Sequence, residues 1–415
     1  MGAPVVDRPK PVNGAPCIRS TRAGSALRIG ASPWSTPAGG FEPMMRPPAE
    51  IGIPLEEVES PALILDLDTF ERNLKRLADA GRRLGVRLRP HAKTHKCPVI
   101  ARRQMALGAV GVCCQTVGEA EAMVFGGIDD VLVTNEVVDR VKVNRLVSLA
   151  KQARVAVCAD DAGNAEALNA AAAAFGARLD VLVEVNVGAN RCGVEPGRPA
   201  LVLAEAIAAL PNLNFAGLQA YHGAAQHIRD FTERRSAALS AAKKAGATKA
   251  LIEGAGLPCE RVTGAGTGTY RFEPESGVYD EIQAGSYVFM DADYGHNLDE
   301  GGGAVSEFEQ SLHILATVVS RPDRARCIVN AGLKALSVDS GMPVVDGDEG
   351  ARYVGASDEH GKIEFAESRR GFDPGERVRL VPGHCDPTVN LHDWIVGYRG
   401  NHVEALWPVA ARGAF

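Results

Sequence analysis

The 415-residue chain carries a formal charge of −6, with 46% apolar and 23% charged residues, ordinary values for a globular protein with room for one large and one smaller domain. The acidic balance argues against a nucleic-acid surface, and no apolar run approaches the roughly 20 residues a membrane helix requires. Nine cysteines without a C-x-x-C pair suit reduced, buried thiols in a cytoplasmic protein better than a disulfide framework.

Residues 1 to 50 are rich in Pro, Gly, Ser and Ala and hold only Asp7, Glu42 and Glu50 as acids. That composition predicts a disordered extension, or a translation start at Met44 or Met45, and no amphipathic period supports a targeting peptide. Pro61 to Asp66 reads as a strand that belongs either with the following unit or with the C-terminal one. Thr69 to Leu84 places Phe70, Leu74, Leu77 and Leu84 at helical spacing. Strand candidates then recur at Val86 to Arg89, Ala109 to Cys114, Asp130 to Thr134, Arg154 to Cys158, Asp180 to Val187, Asn214 to Tyr221, Arg261 to Gly264 and Glu281 to Ala284. Helix signals fill the gaps: Thr116 and Glu119 form a capping box, and Asp161 to Phe175 ends at Gly176. Eight strands in this rhythm predict an α/β fold, a (β/α)8 TIM-type barrel over 51 to 300, with a doubly wound open sheet as the alternative. From 305 to 415 the helical period disappears. Ser311 to Ser320, Arg326 to Ala331, Glu376 to Val381, Trp394 to Tyr398 and His402 to Trp407 read as strands of a second, mainly β domain.

On the barrel reading the unusual polar residues gather at one rim, the C-terminal ends of the strands, where this fold keeps its chemistry. VRLRPHAKTHK runs out of its strand at Pro90, which puts Lys93 just past the end. A lysine among cations either belongs to a solvated basic loop or has its ammonium pKa lowered enough to serve as an amine nucleophile. Gln115, Asn135, Asp160, Asn190, Arg191, Tyr221, His222 and His227 follow later strands. Thr263 to Thr269 (TGAGTGT) and Gly285-Ser286-Tyr287 follow strands seven and eight, where exposed amides form an anion nest. An amine nucleophile facing a phosphate nest suggests pyridoxal phosphate. Arg191 then lies near the ring's phenolic oxygen or makes a surface ion pair; Tyr221 and Tyr294 line the ring, hold phosphate, or are packed aromatics. In Pro382-Gly-His-Cys-Asp-Pro-Thr388, an extended backbone points His384 and Asp386 to one face, a two-ligand set suited to Mn²⁺ or Mg²⁺.

PHAKTHK, CCQTVGEAE, VNVGANRCGV, GLQAYHG, GTGTY, QAGSYVFMDADYG and VPGHCDPTVNLHD together resemble the D-threonine aldolase group, including 3-hydroxy-D-aspartate aldolases, within the alanine racemase-like (fold type III) pyridoxal-phosphate enzymes. The resemblance runs from about residue 55 to the C-terminus. It implies that Lys93 forms the imine with the cofactor and that Arg191 faces the phenolic oxygen. It further implies that Gln115, Thr267, Gly285, Ser286, Tyr287 and Tyr294 help bind the cofactor, that His384 and Asp386 hold the metal, and that His227 is the general base. Ala265 departs from the pattern, since relatives commonly show glycine there. The implied activity is retro-aldol cleavage of a D-β-hydroxy amino acid. D-Serine dehydratases of this superfamily use His-x-Cys with zinc, so Asp386 favours the aldolase; a racemase needs no metal, and a pyridoxal-phosphate carrier usually lacks the β domain. The substrate is a small amino acid, and related enzymes complete the site with the partner's β domain, which implies a homodimer.

Overall fold

The structure, a computed structural model, describes residues 46–366 and 370–415; the extension and start expected over 1–45 lie outside the described residues. Strand β1 (Ala62–Asp66) is a buried apolar run ending in Asp66, whose carboxylate accepts the Thr69 N–H (3.1 Å) and so caps the helix Leu67–Leu84. That helix buries Phe70, Leu74 and Leu77, the stripe its spacing predicts.

The chain then alternates strand and helix. Its strands are β2 (Arg87–Leu88), β3 (Val112–Cys114), β4 (Asp130–Glu136), β5 (Arg154–Ala159), β6 (Leu179–Glu184), β7 (Leu213–Gln219), β8 (Val262–Gly264) and β9 (Glu281–Ile282). Each pairs in parallel with the next from β3 to β9, and β9 pairs with β2. The remaining gap is spanned by the Val110 N–H to Leu88 O (2.8 Å) and the Cys113 N–H to Pro90 O (2.9 Å). This closure makes a barrel and removes the open-sheet alternative. Alternation along the strands sends Val112, Val131, Val133, Val155 and Val157 outward to the helices, and Cys113, Leu132, Ala156, Cys158, Leu182 and Ala216 into the barrel. Arg89 joins that interior, donating to Glu281 (2.9 Å) and Asp130 (2.6 Å), the first residues of β9 and β4. The two carboxylates hold this 2%-exposed guanidinium charged against the cost of its burial.

The second sheet contains β10 (Leu312–Ser320), β11 (Arg326–Val329), β12 (Val344–Val345), β13 (Ala351–Ala356), β14 (Gly361–Phe365), β15 (Arg377–Val381), β16 (Trp394–Arg399) and β17 (His402–Pro408). Its order is β11-β14-β13-β12-β15-β10-β1-β16-β17, so β1 sits inside it, antiparallel to β10 and parallel to β16. Strands β12, β13 and β14 were not expected from the sequence. Residues 46–50, counted with the extension, are placed here: Pro48 O accepts the Glu59 N–H (2.8 Å) and Ala49 packs against the apolar cluster that includes Ile64 and Val396. One apolar cluster joins the two sheets, with Leu88, Ile100 and Tyr287 from the barrel side against Leu312, Val389, Ile395 and Trp407. This shared core sets the β sheet's loops against the barrel rim. Among the described residues no helix is long and apolar enough to cross a membrane, and the cysteines are unpaired.

Candidate active site

A cleft opens at the C-terminal ends of the barrel strands, and Lys93 stands in it. After Pro90 the backbone turns through the short helix Ala92–Thr94, with the Lys93 N–H donating to His91 Nδ1 (3.4 Å). That leaves His91 as the Nε2–H tautomer, donating to Thr134 Oγ1 (3.0 Å), which in turn donates to Cys114 O (3.3 Å). Burial, then the Lys93 charge, pushes His91 down to about 3, and burial takes His95 down to about 4, so both rings are neutral. Lys96 turns away at φ 52° and pairs with buried Glu119 (2.6 Å). Thr116 caps the following helix as expected (3.2 Å), but the Glu119 carboxylate reaches the Gln115 N–H (2.7 Å) instead of returning to Thr116.

Lys93 therefore has no unpaired cation beside it along PHAKTHK, and its pKa is raised, not lowered. Burial works against the ammonium, but the Asp386 carboxylate, in contact with Lys93 Nζ, outweighs it. Asp386 is correspondingly held well below the usual carboxylate range despite burial.

The loops after β8 and β9 form one wall. Thr267 Oγ1 accepts the Tyr287 N–H (3.1 Å) and ties the two loops together. A Cβ at Gly285 would stand 2.6 Å from Thr94 Oγ1, and one at Gly266 would stand 2.5 Å from Gln226 Oε1, so a side chain at either would displace a residue that packs behind these loops. Among the described residues none accepts from the N–H groups of Thr267 or Ser286. Ala265 is buried at φ 61°, a conformation glycine adopts more easily, which is the physical reason its methyl is out of place. Tyr287 departs from expectation: its ring lies in the core and its hydroxyl accepts from Gln104 Nε2 (3.1 Å), so only its backbone serves the loop.

Gln115, Arg191, Tyr221 and Tyr294 also line the cleft. The Arg191 guanidinium lies 6.0 Å from the Tyr221 ring centroid and 3.9 Å from Glu184 Oε1. Burial, reinforced by Glu136 and opposed by Arg191, raises Glu184 to about 8. Between about pH 4.5 and 8 the folded chain thus keeps a proton that the unfolded chain has released, so stability falls as pH rises through that window. Glu184→Gln should flatten this slope, by up to a few kcal/mol as an order of magnitude. Urea midpoints at pH 5 and pH 9 read the effect, and equal pH differences in the two proteins would refute it.

His384 and Asp386, the expected metal ligands, lie where the β sheet's loop meets Lys93. His384 is the N-cap of a short helix, Cys385–Val389, and the extended backbone read from the sequence is replaced by a helical turn that begins at Cys385. The pair still shares a locale: His384 favours the ionised Asp386, whose other oxygen is 3.5 Å from Ser286 Oγ. His384 Nδ1 meets Asp339 Oδ2 at 2.8 Å, the carboxylate–imidazole arrangement that fixes a metal-binding histidine and leaves Nε2 as the lone pair. Among the described residues no group of three or more His, Cys, Asp or Glu is placed to hold a metal, so the two expected ligands stand without a third.

His227 does not line the cleft. Its ring is 5.3 Å from that of Tyr294, and Nδ1 meets Asp293 Oδ2 at 2.5 Å, which leaves Nε2 to accept a proton. Sequence reasoning missed His91, Thr94, Thr134, Gln219 and Gln283 in the cleft lining. Their signal is a polar residue closing an otherwise apolar strand, as in VLVT134 and AGLQ219. Gln219 and Gln283 join across the floor (Nε2 of Gln283 to Oε1 of Gln219, 2.8 Å).

Residues 65–293 match the alanine racemase N-terminal domain family, and residues 311–398 match the serine dehydratase domain family. The chain belongs to the alanine racemase-like family of barrel enzymes, whose members imply pyridoxal phosphate as cofactor. Within it the chain stands with the aldolases. It is 47% identical over 367 residues to D-threonine aldolase of Arthrobacter sp, covering 88% of this chain and 96% of that protein. It is 46% identical over 382 residues to 3-hydroxy-D-aspartate aldolase of Paracoccus denitrificans strain Pd 1222, covering 91% and 98%. The crystal structure of D-threonine aldolase from Filomicrobium marinum superposes with a TM-score of 0.87 at 52% identity, covering 89% of this chain and 100% of that one.

The cleft fits such a cofactor: its lining combines the strand-end Lys93 amine with Gly266, Thr267, Gly285 and Ser286 of the two loops and with the polar Gln219 and Gln283. Lys93, Gln115, Arg191, Tyr221, Thr267, Gly285, Ser286 and Tyr294 line the space it would occupy.

Proposed function

We propose that this chain performs pyridoxal phosphate- and divalent metal-dependent retro-aldol cleavage of D-β-hydroxy amino acids, of the D-threonine or D-3-hydroxyaspartate type, to glycine and an aldehyde. The observation that carries it is the delivery of Asp386, beside His384, onto the Lys93 amine. A racemase has no use for a carboxylate and a bare imidazole nitrogen at that point. Cofactor and metal supply, respectively, the electron sink for the Cα–Cβ pair and a Lewis acid at the β-hydroxyl.

The chain's own residues do the rest. Lys93 supplies the amine for covalent attachment, and the Thr267 and Ser286 amides receive the phosphate. Arg191, 6.0 Å from the Tyr221 ring centroid, supports the phenolic oxygen. His227, its Nδ1 held by Asp293, takes the β-hydroxyl proton on Nε2, directly or through a water, since it stands behind Tyr294. His384 and Asp386 would hold the divalent ion, Mn²⁺ or Mg²⁺.

The reason for a homodimer changes. The chain's own β sheet already brings Asp386 to Lys93, so no partner is needed to join metal pair and nucleophile. Dimerisation remains part of the proposal on family likeness, as does a cytoplasmic location that keeps the thiols reduced.

A panel of D-threonine, D-3-hydroxyaspartate and D-serine tests the reading. Glycine is expected from one or both of the first two. A keto acid as the main product would make the chain a dehydratase instead.

A further inference from the structure

Arg234, in the second turn of the helix Phe231–Gly254, is 1% exposed, and its guanidinium is satisfied by backbone carbonyls. Nε donates to Gly268 O (3.1 Å), Nη1 to Ile228 O (2.6 Å) and Arg229 O (2.9 Å), and Nη2 to Leu298 O (2.7 Å). Burying a cation is costly, and one held by four carbonyls keeps most of its positive charge. The charged side chains that act on it are Arg271, Asp230 and Arg229.

Those four carbonyls belong to three segments of the active site. Gly268 lies in the glycine-rich turn, Ile228 and Arg229 follow His227, and Leu298 follows Tyr294 in the loop after β9. Thr267 and Tyr294 line both the cleft and a smaller cavity that Arg234 lines, so the guanidinium stands behind the wall that faces the cofactor. Gln226 backs the same turn: its Oε1 accepts the Gly268 N–H (3.0 Å) and its Nε2 donates to Thr269 Oγ1 (2.8 Å).

The geometry points to Arg234 as a positioning residue for phosphate recognition. It fixes the Gly268 carbonyl and so the turn that carries the unpaired Thr267 amide in the cleft lining, and it adds positive charge behind the site of a dianion. The inference rests on the pyridoxal-phosphate reading.

Pyridoxal phosphate and pyridoxal, which lacks the phosphate, separate this role from a general structural one. Apo wild type, Arg234→Lys and Arg234→Met are titrated with each compound by visible absorbance, with thermal melts to confirm folding. The wild-type preference for pyridoxal phosphate should fall by about tenfold or more in both variants, while pyridoxal affinity changes by less than about threefold. Equal weakening of both ligands, or an unchanged preference, overturns the assignment. Should neither Arg234 variant fold, Gln226→Met must show the same loss of preference, and its absence counts equally against the assignment. A wild-type chain that takes up neither compound overturns the cofactor reading and this inference together, a result distinct from wild type and variants preferring pyridoxal phosphate alike.

Discussion

Lys93→Ala is expected to lose both the visible absorbance of the bound cofactor and turnover, the latter by on the order of 10³-fold or more. The lysine sits at the cleft floor between His91 and Thr94, and among the described residues no other amine lines that space. The substitution also removes the cation that holds Asp386 ionised. Breaking a buried ion pair costs about 3–5 kcal/mol, but the Lys93 side chain is 39% exposed, so the loss of stability should fall well short of that. The variant should therefore fold and be colourless. Absorbance before and after borohydride, with glycine production alongside, decides the matter. A variant that keeps a reducible chromophore and full turnover would exclude Lys93.

Chelation should abolish cleavage while leaving the chromophore in place, because the cofactor's attachment to Lys93 makes no call on His384. Asp386→Ala should lose cleavage in the same way, and added Mn²⁺ should recover little, since one of two protein ligands is gone. Asp339→Asn should act more gently. It leaves both ligands but removes the anion behind His384 Nδ1, an outer-shell change that typically costs 10–100-fold in metal affinity, so excess Mn²⁺ should rescue it. Undiminished glycine production after exhaustive EDTA treatment, with no metal by elemental analysis, would sink the mechanism.

The barrel was legible because each parallel strand is a short apolar run bounded by turn residues, and the strand ends then located most of the cleft. What escaped was set by contacts distant in sequence. PHAKTHK looks cationic, yet burial discharges His91 and His95, and Lys96 is neutralised by Glu119, so the charge of Lys93 is decided by Asp386. The helical turn at Cys385 had a local sign: Pro387 fits a first turn, where its missing N–H costs nothing, as well as it fits a strand end. Strands β13 and β14 hide because only alternate residues are buried, Ala351 and Tyr353 against Gly361, Ile363 and Phe365, while Arg352, Lys362 and Glu364 fill the other face. Tyr287 was read by residue type, but the side chain of a tyrosine next to a phosphate loop can equally face the core.

The position of β1 has a consequence for how the chain is made. Leu63 pairs with Ile314 on one side and with Ile395 on the other, so this early apolar strand has no partner until β10 has been synthesised, and no second one until nearly the whole polypeptide has been. At about 5–20 residues per second both edges stay bare for roughly 12 to 50 s, and the β16 edge for roughly 17 to 66 s. An unpaired apolar strand is a template for association between nascent chains. Slowed elongation or a stop codon after the barrel would therefore yield aggregate in place of a free barrel, and chaperone capacity during synthesis should govern the yield of folded enzyme more than its final stability does.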